Sequence, residues 1–281
     1  ASIMWTDQIN DFNYSVGGNI TYSRFWDWEQ YKPRFSNSWD EYRNSIWHRV
    51  GYVNWGYEAI GRFDSWEQIA NYPVDNDRKG NRTVVPGDIM YKDQNNDGVI
   101  NYLDERPIGY RVDSTPTLNF GINLSASWKG FDLAMDWTGS GMTSWNQCYE
   151  TARPFQNDGN SPDEVLKDAW HLSDIWDANS PLIPGKYPMV RLNTDETSAY
   201  DKSSYWLHNV TYLKLRNLEV GYTFPKTWLN RTGISNLRLF VSGTNLLTLS
   251  NLSVMDPECA SDNGLDYPPM RVINIGVNLK F

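Results

Sequence analysis

The sequence of 281 residues lacks any run of about eighteen apolar residues, the length that a helix needs to cross a membrane. Histidine and cysteine are scarce, with three and two residues. His48, His171 and His208 do not have the spacing of a metal site or a catalytic triad. Because no nucleophile elbow or glycine-rich phosphate loop occurs either, the sequence indicates a protein that is not an enzyme.

Basic residues are also fewer than acidic ones, with 25 against 34, so the net charge is −9. This balance argues against nucleic acid as a partner. The mean hydropathy of −0.60 argues against a helical membrane protein. It is compatible with a membrane β-barrel, because half of each strand and all of each loop are polar there.

The segment from Met270 to Phe281 alternates strictly between apolar and polar residues. Its apolar positions are Ile273, Ile275, Val277, Leu279 and Phe281, and Asn274, Gly276, Asn278 and Lys280 lie between them. Such alternation predicts a strand with one apolar face. A soluble sandwich strand alternates in the same way, but an edge strand at this position would be open to aggregation, which a closed barrel avoids.

Three further segments, 12–22, 118–128 and 131–137, alternate in the same way and approach the 9–11 residues of a tilted spanning strand. Their polar positions carry Asn, Ser, Gly and Thr, which suit a wet lumen, and their apolar faces end in aromatic residues. We expect the lipid-facing residues to include Phe12, Tyr14, Phe120, Leu124, Leu133, Trp137, Ile275 and Leu279. The lumen-facing residues should include Asn13, Asn119, Asn123, Asn274 and Asn278.

Residues 206–224 are less regular. Strict alternation would place the charged residues Lys214 and Arg216 on the same face as the apolar residue Leu218. Either a β-bulge resets the register or this part of the strand projects beyond the bilayer. The pattern leaves both alternatives open.

The connections alternate between short ones, at about 6–11, 129–130 and 225–236, and long polar ones. The long ones, at about 25–115, 140–205 and 250–269, would be external loops, as in bacterial outer-membrane barrels. The predicted fold is all-β, an antiparallel transmembrane β-barrel of which residues 1–281 form the last six or seven strands, the first ending near Trp5. A disulfide between Cys148 and Cys259, in different external loops, is permitted in that compartment, and the alternative is that they are not bonded.

The strongest motif for a site is a twelve-residue segment with oxygen-bearing side chains at positions 1, 3, 5, 9 and 12 and glycine at position 6. This spacing is typical of a loop that wraps around Ca²⁺, and the aspartate at position 12 also admits Mg²⁺. The alternative is a polar turn without an ion. The predicted ligands are Asp93, Asn95, Asp97, the Val99 carbonyl, Asn101 and Asp104.

Several motifs resemble the C-terminal half of the SusC/RagA family of TonB-dependent transporters. They are 56–63, 86–110, 116–121, 129–133, 187–188, 212–225 and 274–281, and they occur in family order. The resemblance implies import of oligosaccharides or peptides through a 22-stranded barrel in the outer membrane of a Gram-negative bacterium. It further implies a SusD-like lipoprotein lid, and TonB acting through an N-terminal part and plug domain that this chain does not contain.

The resemblance also implies that the final strand is read by the barrel-assembly machinery, with Gly276, Leu279 and Phe281 as the signal. Aromatic side chains in the external loops suit sugar rings. The candidate ligand contacts are Trp39, Trp47, Trp55, Trp145 and Trp176. The alternative is that these tryptophans anchor loops or pack against the lid protein.

Two other functions compete with transport. One is a soluble, calcium-binding and glycan-binding β-module, although a dockerin-like module would carry a second copy of its calcium loop, and none occurs. The other is an outer-membrane barrel enzyme, for which the expected Ser/His/Asp set is missing.

Overall fold

The computed structural model describes residues 1–29, 31, 33–51, 53–110, 116–192, 196–230, 233–259 and 263–281. The strands are β1 (Ser2–Ile9), β2 (Phe12–Tyr22), β3 (Trp26–Asp27), β4 (Arg49–Val50), β5 (Asn54–Gly56), β6 (Ala59–Arg62), β7 (Ile89–Tyr91), β8 (Arg106–Gly109), β9 (Leu118–Trp128), β10 (Phe131–Asn146), β11 (His171–Leu172), β12 (Leu182–Ile183), β13 (Leu207–Thr223), β14 (Asn236–Ser250) and β15 (Val272–Lys280). The helices are α1 (Ser38–Asn44), α2 (Trp66–Ala70), α3 (Asp163–Lys167) and α4 (Lys226–Leu229). Short 3-10 turns cover Tyr102–Asp104, Tyr149–Thr151, Gln156–Asp158 and Ser198–Tyr200.

Seven strands form one antiparallel sheet in the order β1-β2-β9-β10-β13-β14-β15. Each strand therefore pairs with the next long strand along the chain, as in an up-and-down barrel wall. Residues 10–11, 129–130 and 224–235 make the short connections. The long connections span 23–117, 147–206 and 251–271. The residues that the structure describes within them lie at the opposite end of the sheet and are together called the loop body below.

The pairing register separates the sheet into an apolar face and a polar face. Leu124 pairs directly with Val16 and Met135, whereas Asn123 pairs with Gly17 and Asp136. Directly paired residues point to the same side of a sheet, so the eight predicted lipid-facing residues share one face and the five predicted lumen-facing residues share the other. The predicted register is confirmed.

Two strand boundaries differ from the sequence-based expectation. The first strand runs to Ile9, not Trp5, because its pairing with β2 continues to a two-residue turn at Asn10, which has a φ of 53°. The fourth long strand extends from 131 to Asn146, because pairing with β13 continues beyond a bulge near Met142.

A second bulge decides the question left open by residues 206–224. Asp136 pairs with Asn217 and the next residue, Trp137, pairs with Leu215, so Arg216 has no partner across this ladder. One extra residue reverses the alternation, which places Lys214 on the polar face and Leu215 on the apolar face. The bulge alternative is therefore confirmed.

The largest packed core among the described residues lies in the loop body. It joins residues from the connections 23–117 and 147–206, with aromatic side chains stacked around Trp206. Its buried members are Tyr57, Ile89, Tyr91, Ile100, Ala152, Val165, Ala169, Tyr187, Ala199, Tyr200 and Trp206. The apolar face of the sheet, by contrast, leaves side chains such as Ile3, Val16 and Ile275 exposed.

None of the helices among the described residues is both long and apolar enough to cross a membrane. The described residues also contain no disulfide between Cys148 and Cys259. The thiol of Cys259 lies 3.9 Å from a carboxylate oxygen of Asp266.

Candidate functional site: the polar face and the loop body

A buried ionic cluster fastens the connection 251–271 to the polar face of the sheet. The Lys214 ammonium is fully buried and lies 2.9 Å from carboxylate oxygens of both Asp256 and Glu258. Arg216, at the bulge, forms an ion pair with Glu258 as well. Two cations thus face two carboxylates, which satisfies the buried charge. This cluster is called the ionic clamp below.

Apolar contacts strengthen the same attachment. Leu252 is buried against Trp145, Val210 and Tyr212, with Val254 and Met255 packed at the edge of this group. The segment 252–258 is therefore held over the sheet by an apolar anchor and by the ionic clamp. The sequence pattern did not predict this attachment. The one feature that indicated it was Lys214, a charged residue at a strand position where the alternation calls for an apolar one.

Further along the polar face, hydrogen-bonding groups form a continuous lining. Arg238 is held between Asp132 and Glu219, and Asn123 donates a 2.7 Å hydrogen bond to Asp136. A cavity of about 370 Å³ lies between these rows, lined by Asn19, Asn119, Asn123, Asp136, Ser140, Tyr212, Arg216 and Glu258 among others. Such a wall can hydrogen-bond a polar solute without presenting one dominant charge.

The predicted cation loop brings four of its six predicted ligands together. The Asp97 carboxylate accepts hydrogen bonds from the side-chain amides of Asn95 (2.9 Å) and Asn101 (3.3 Å), and the Asn101 amide lies 3.2 Å from the Val99 carbonyl oxygen. Hydrogen bonds from the Val99 N–H and then from the Asn95 side chain hold the pKa of the Asp97 carboxyl below its usual range. Hard cations bind carboxylate and amide oxygens, whereas the amide groups that face Asp97 here present their N–H donors. The amide oxygens of Asn95 and Asn101 instead accept the backbone N–H groups of Asp97 and Leu103.

The carboxylates of the other two predicted ligands accept hydrogen bonds from backbone N–H groups. Asp104 is buried, and its two oxygens accept the N–H groups of Gln94 and Asn101 in a capping box. The oxygens of Asp93 accept the N–H groups of Asn96 and Gly98. In the described part of the chain, no three Asp, Glu, His or Cys side chains converge as metal ligands.

The candidate tryptophans fall into three groups. Trp39 and Trp55 pack edge to face at 6.3 Å, and the guanidinium groups of Arg106 and Arg43 lie 5.0 and 4.6 Å from the centres of their rings. Trp145 is only 4% exposed and stacks on His208. Both arrangements are those of residues that anchor loops.

Trp47 and Trp176 are the accessible members of the candidate set. Trp176 is 91% exposed in the connection between β11 and β12. Trp47 is exposed and packs edge to face on His48 at 4.9 Å. These two indoles are therefore accessible to a ligand or a partner.

The three residues of the predicted assembly signal have different environments. Gly276 lies under the ring of Phe240, whose Cζ atom would be 2.2 Å from a Cβ at that position. Leu279 pairs with Leu237 on the apolar face, and Phe281 is exposed beyond the end of β15. Gly276 thus has a packing role that is independent of any recognition.

No protein-family model matches the chain. The TonB-dependent receptor P3 of Formosa agariphila is 30% identical over 242 residues, which cover 80% of this chain and 22% of the relative. The TonB-dependent receptor SusC of Bacteroides thetaiotaomicron is 24% identical over 252 residues, which cover 83% of this chain and 20% of the relative. The chain therefore spans about a fifth of the length of these relatives.

Solved structures of similar fold agree with the sequence relatives. The RagAB peptide transporter matches 100% of this chain and 28% of its own chain, with a TM-score of 0.64 and 21% identity. The RagAB peptide importer in the closed-closed state gives a TM-score of 0.65 at 20% identity. With the two-faced antiparallel sheet, these relationships show that the chain belongs to the SusC/RagA-type TonB-dependent receptors and forms part of their outer-membrane β-barrel.

Proposed function

We propose that this chain is the C-terminal part of a single TonB-dependent receptor barrel that imports oligosaccharides or peptides across the outer membrane. The observation that carries the proposal is the polar face of the sheet, a wall of amide, hydroxyl and paired charged groups opposite an apolar face. Such a wall lines an aqueous lumen, and the apolar face meets lipid. The relatives named as TonB-dependent receptors, and RagAB named as a peptide transporter, support the same function.

In this proposal the loop body is external, because bacterial barrels place their long connections outside and their short turns in the periplasm. A SusD-like lipoprotein would cover it, and TonB would supply energy through a plug domain on another part of the protein. A soluble calcium-binding module does not fit, since the apolar face leaves residues such as Ile275 (84% exposed) without cover in water. No enzymatic step is proposed for the chain.

Uptake by cells of the source organism tests the transport proposal. A strain that lacks the gene, a complemented strain and a strain without TonB are given labelled oligosaccharide and peptide pools. We expect one pool to enter only when both the gene and TonB are present. Equal uptake of every pool by the deletion strain would contradict the proposal, and the pool that depends on the gene identifies the cargo class.

Co-purification tests the partner. The full-length protein is purified under mild detergent from wild-type cells and from cells with Trp176→Ala or Trp145→Phe. Trp176 is the exposed candidate and Trp145 the buried one, so only Trp176→Ala should weaken retention of a surface lipoprotein. Retention that is identical in all three preparations would remove Trp176 as a contact for the lid.

A second proposed property is cation binding by the loop 93–104. The carbonyl of Val99 and the side chains of Asp93, Asn95, Asp97, Asn101 and Asp104 are the proposed ligands for Ca²⁺, or for Mg²⁺. The support for it is the spacing of oxygen-bearing side chains and the position of Asn95 and Asn101 beside Asp97, where rotation of the two amides would turn their oxygens towards the carboxylate. The role proposed is structural, to hold this part of the loop body together.

Protease resistance with and without a chelator tests the cation site. Chelation should speed cleavage of the full-length protein near 93–104, and added Ca²⁺ should reverse the effect. Asp97→Ala should remove the response to Ca²⁺, whereas Lys92→Gln, a neighbouring change outside the ligand set, should keep it. Cleavage that does not respond to chelation in the wild type would refute the site.

The assembly signal also stays a proposal. Gly276, Leu279 and Phe281 would be read by the barrel-assembly machinery, with the exposed ring of Phe281 as the main contact. Phe281→Ala should lower the amount of folded protein in the outer membrane, while Leu265→Ala, a change at another exposed apolar residue in a loop, should not. Normal membrane levels of Phe281→Ala would contradict the signal.

A further inference from the structure

A long groove lies at the rim where the sheet meets the loop body. It consists of two adjoining cavities of about 660 and 470 Å³ that share the residues Val50, Gly51, Val53 and Pro107. One end of the groove reaches Ser23 and Asn209, next to the sheet, and the other reaches α1 at Tyr42. It is called the rim groove below.

The rim groove is on the apolar side of the sheet. Asn209 and Leu215 are six residues apart in β13, so alternation puts them on the same face, and Leu215 pairs with Trp137 of the apolar face. Gly109 of β8, another residue of the groove, packs against Leu207 on that face. The groove therefore opens above the lipid-facing surface and not into the lumen.

Three arginines line the rim groove, namely Arg24, Arg43 and Arg49. The Arg43 guanidinium lies 4.6 Å from the centre of the Trp55 ring and that of Arg49 lies 5.3 Å from the centre of Tyr42. These stacking contacts fix the direction of two planar cations before any ligand arrives.

The positive charge in the groove is not fully balanced. Glu105 is 3.0 Å from the Arg43 guanidinium, and Asp27 lies near Gly51, 3.5 Å from where a Cβ would be. Arg24 is exposed and forms no ion pair with any residue that the structure describes. Three guanidinium groups against two carboxylates give a positive site in a chain whose net charge is −9.

The residues around Arg24 are those of a membrane interface. Tyr22, the last residue of the apolar face of β2, is 57% exposed, and Phe25 and Trp26 are 55% and 51% exposed. Exposed aromatic residues form belts at the level of lipid headgroups, and an arginine among them places its charge in the headgroup layer. In the barrel proposed above, these aromatic residues would place Arg24 at the level of the lipid phosphates.

We propose that the rim groove binds the phosphate-bearing headgroup of a lipid in the outer leaflet. The guanidinium groups of Arg24 and Arg49 would contact the phosphate, because planar guanidinium groups bind its oxygens in a bidentate manner. The apolar lining from Phe25 and Val53 would contact the first carbons of the lipid. The inference rests on the external position of the loop body proposed above, and it is independent of the cargo.

Lipid binding to the full-length protein in detergent tests the proposal. The probes are fluorescent lipid A, which carries two phosphates, and the same molecule after removal of its phosphates. Arg24→Gln with Arg49→Gln should weaken binding of lipid A at least about tenfold, since two charge-assisted contacts are lost. Arg82→Gln changes another exposed arginine of the loop body and should leave the dissociation constant unchanged.

Three results would overturn the inference. One is equal affinity of the wild type and the double variant, and another is equal affinity for lipid A and its dephosphorylated form. The third is competition by an acidic peptide or an acidic oligosaccharide with the same arginine dependence, which would make the groove a cargo site. The single variant Arg24→Gln, at an exposed residue, guards against a folding defect. Uptake in the double variant should persist, which separates this test from that of transport.

Discussion

The sheet and the loop body bury apolar surface in opposite ways. The sheet turns side chains such as Val16, Ile20 and Ile275 outward, has mainly polar groups on its other face, and contributes buried apolar residues mainly where Leu252 packs on it. The loop body encloses an aromatic core around Trp206. The sheet thus depends on lipid for its apolar contacts, whereas the loop body is built like a water-soluble domain. The ionic clamp joins the two regions.

The largest expected effect comes from breaking the ionic clamp. Lys214→Met leaves Asp256 without its buried cation and should lower the free energy of unfolding by about 3 kcal/mol. Lys92→Met breaks an exposed pair with Glu58 and should cost less than about 1 kcal/mol. Urea unfolding of the full-length protein in lipid vesicles measures both. Equal effects would mean that the clamp contributes no more than a surface ion pair.

Introducing an arginine on either face of β9 tests which face of the sheet meets lipid. Leu124→Arg places a cation on the apolar face and should cost about 2–4 kcal/mol if measured in lipid vesicles. Asn123→Arg, one residue away on the polar face, should cost far less. If the two changes have the same cost, the apolar face does not meet lipid.

Packing within the sheet should be sensitive to substitution of particular glycines by alanine. Gly276→Ala puts a methyl group against the Phe240 ring and should destabilise the barrel by about 1–3 kcal/mol. In Gly18→Ala the nearest atom to the new Cβ is 3.8 Å away, so little change is expected. Combining Gly276→Ala with Phe240→Ala should reduce the penalty. A penalty that persists without the ring would point to a backbone cause instead.

The smallest effect concerns acid and the loop body. Although burial opposes it, hydrogen bonds from Thr83, Lys79 and Asn81 lower the pKa of Asp77 from 3.8 to about 2. Because the folded-state pKa is depressed, this contribution is complete above about pH 4 and is lost as the pH falls towards 2. The loss should not exceed about 2 kcal/mol.

Hydrogen exchange of the amides of residues 75–83 measures this loss. Between pH 4 and pH 2, Asp77→Asn should lose less protection than the wild type, while strand β9 should behave the same in both. An identical acid response in the variant would show that Asp77 does not stabilise the loop body.

Much of the sheet could be predicted from the sequence. Residues 12–22 and 118–128 were predicted as strands and have those bounds, because side-chain alternation is a local property that repeats within each strand. The extension of β10 to Asn146 was not predicted. It crosses a bulge near Met142, and a bulge removes the alternation on which the prediction depends.

The candidate site was predicted less completely. Asn95, Asp97, Val99 and Asn101 of the loop 93–104 do lie close together, since they are close in sequence, and the cation that their spacing predicts stays a prediction. Composition could not separate the buried Trp145 from the exposed Trp176, because both were expected in the long loop 140–205, whereas Trp145 belongs to β10. Their difference depends on which distant segments pack against them.

The sequence by itself determined most of the long strands and their two faces, because a period of two residues specifies both. The alternation of short and long connections determined that the long ones lie at one end of the sheet. Only the tertiary structure decided that Lys214 is buried with Asp256 and Glu258, that Arg43 lies over Trp55, and that the rim groove opens above the apolar face. These contacts join residues that are far apart in sequence or separated by a turn of the chain, so no local pattern specifies them.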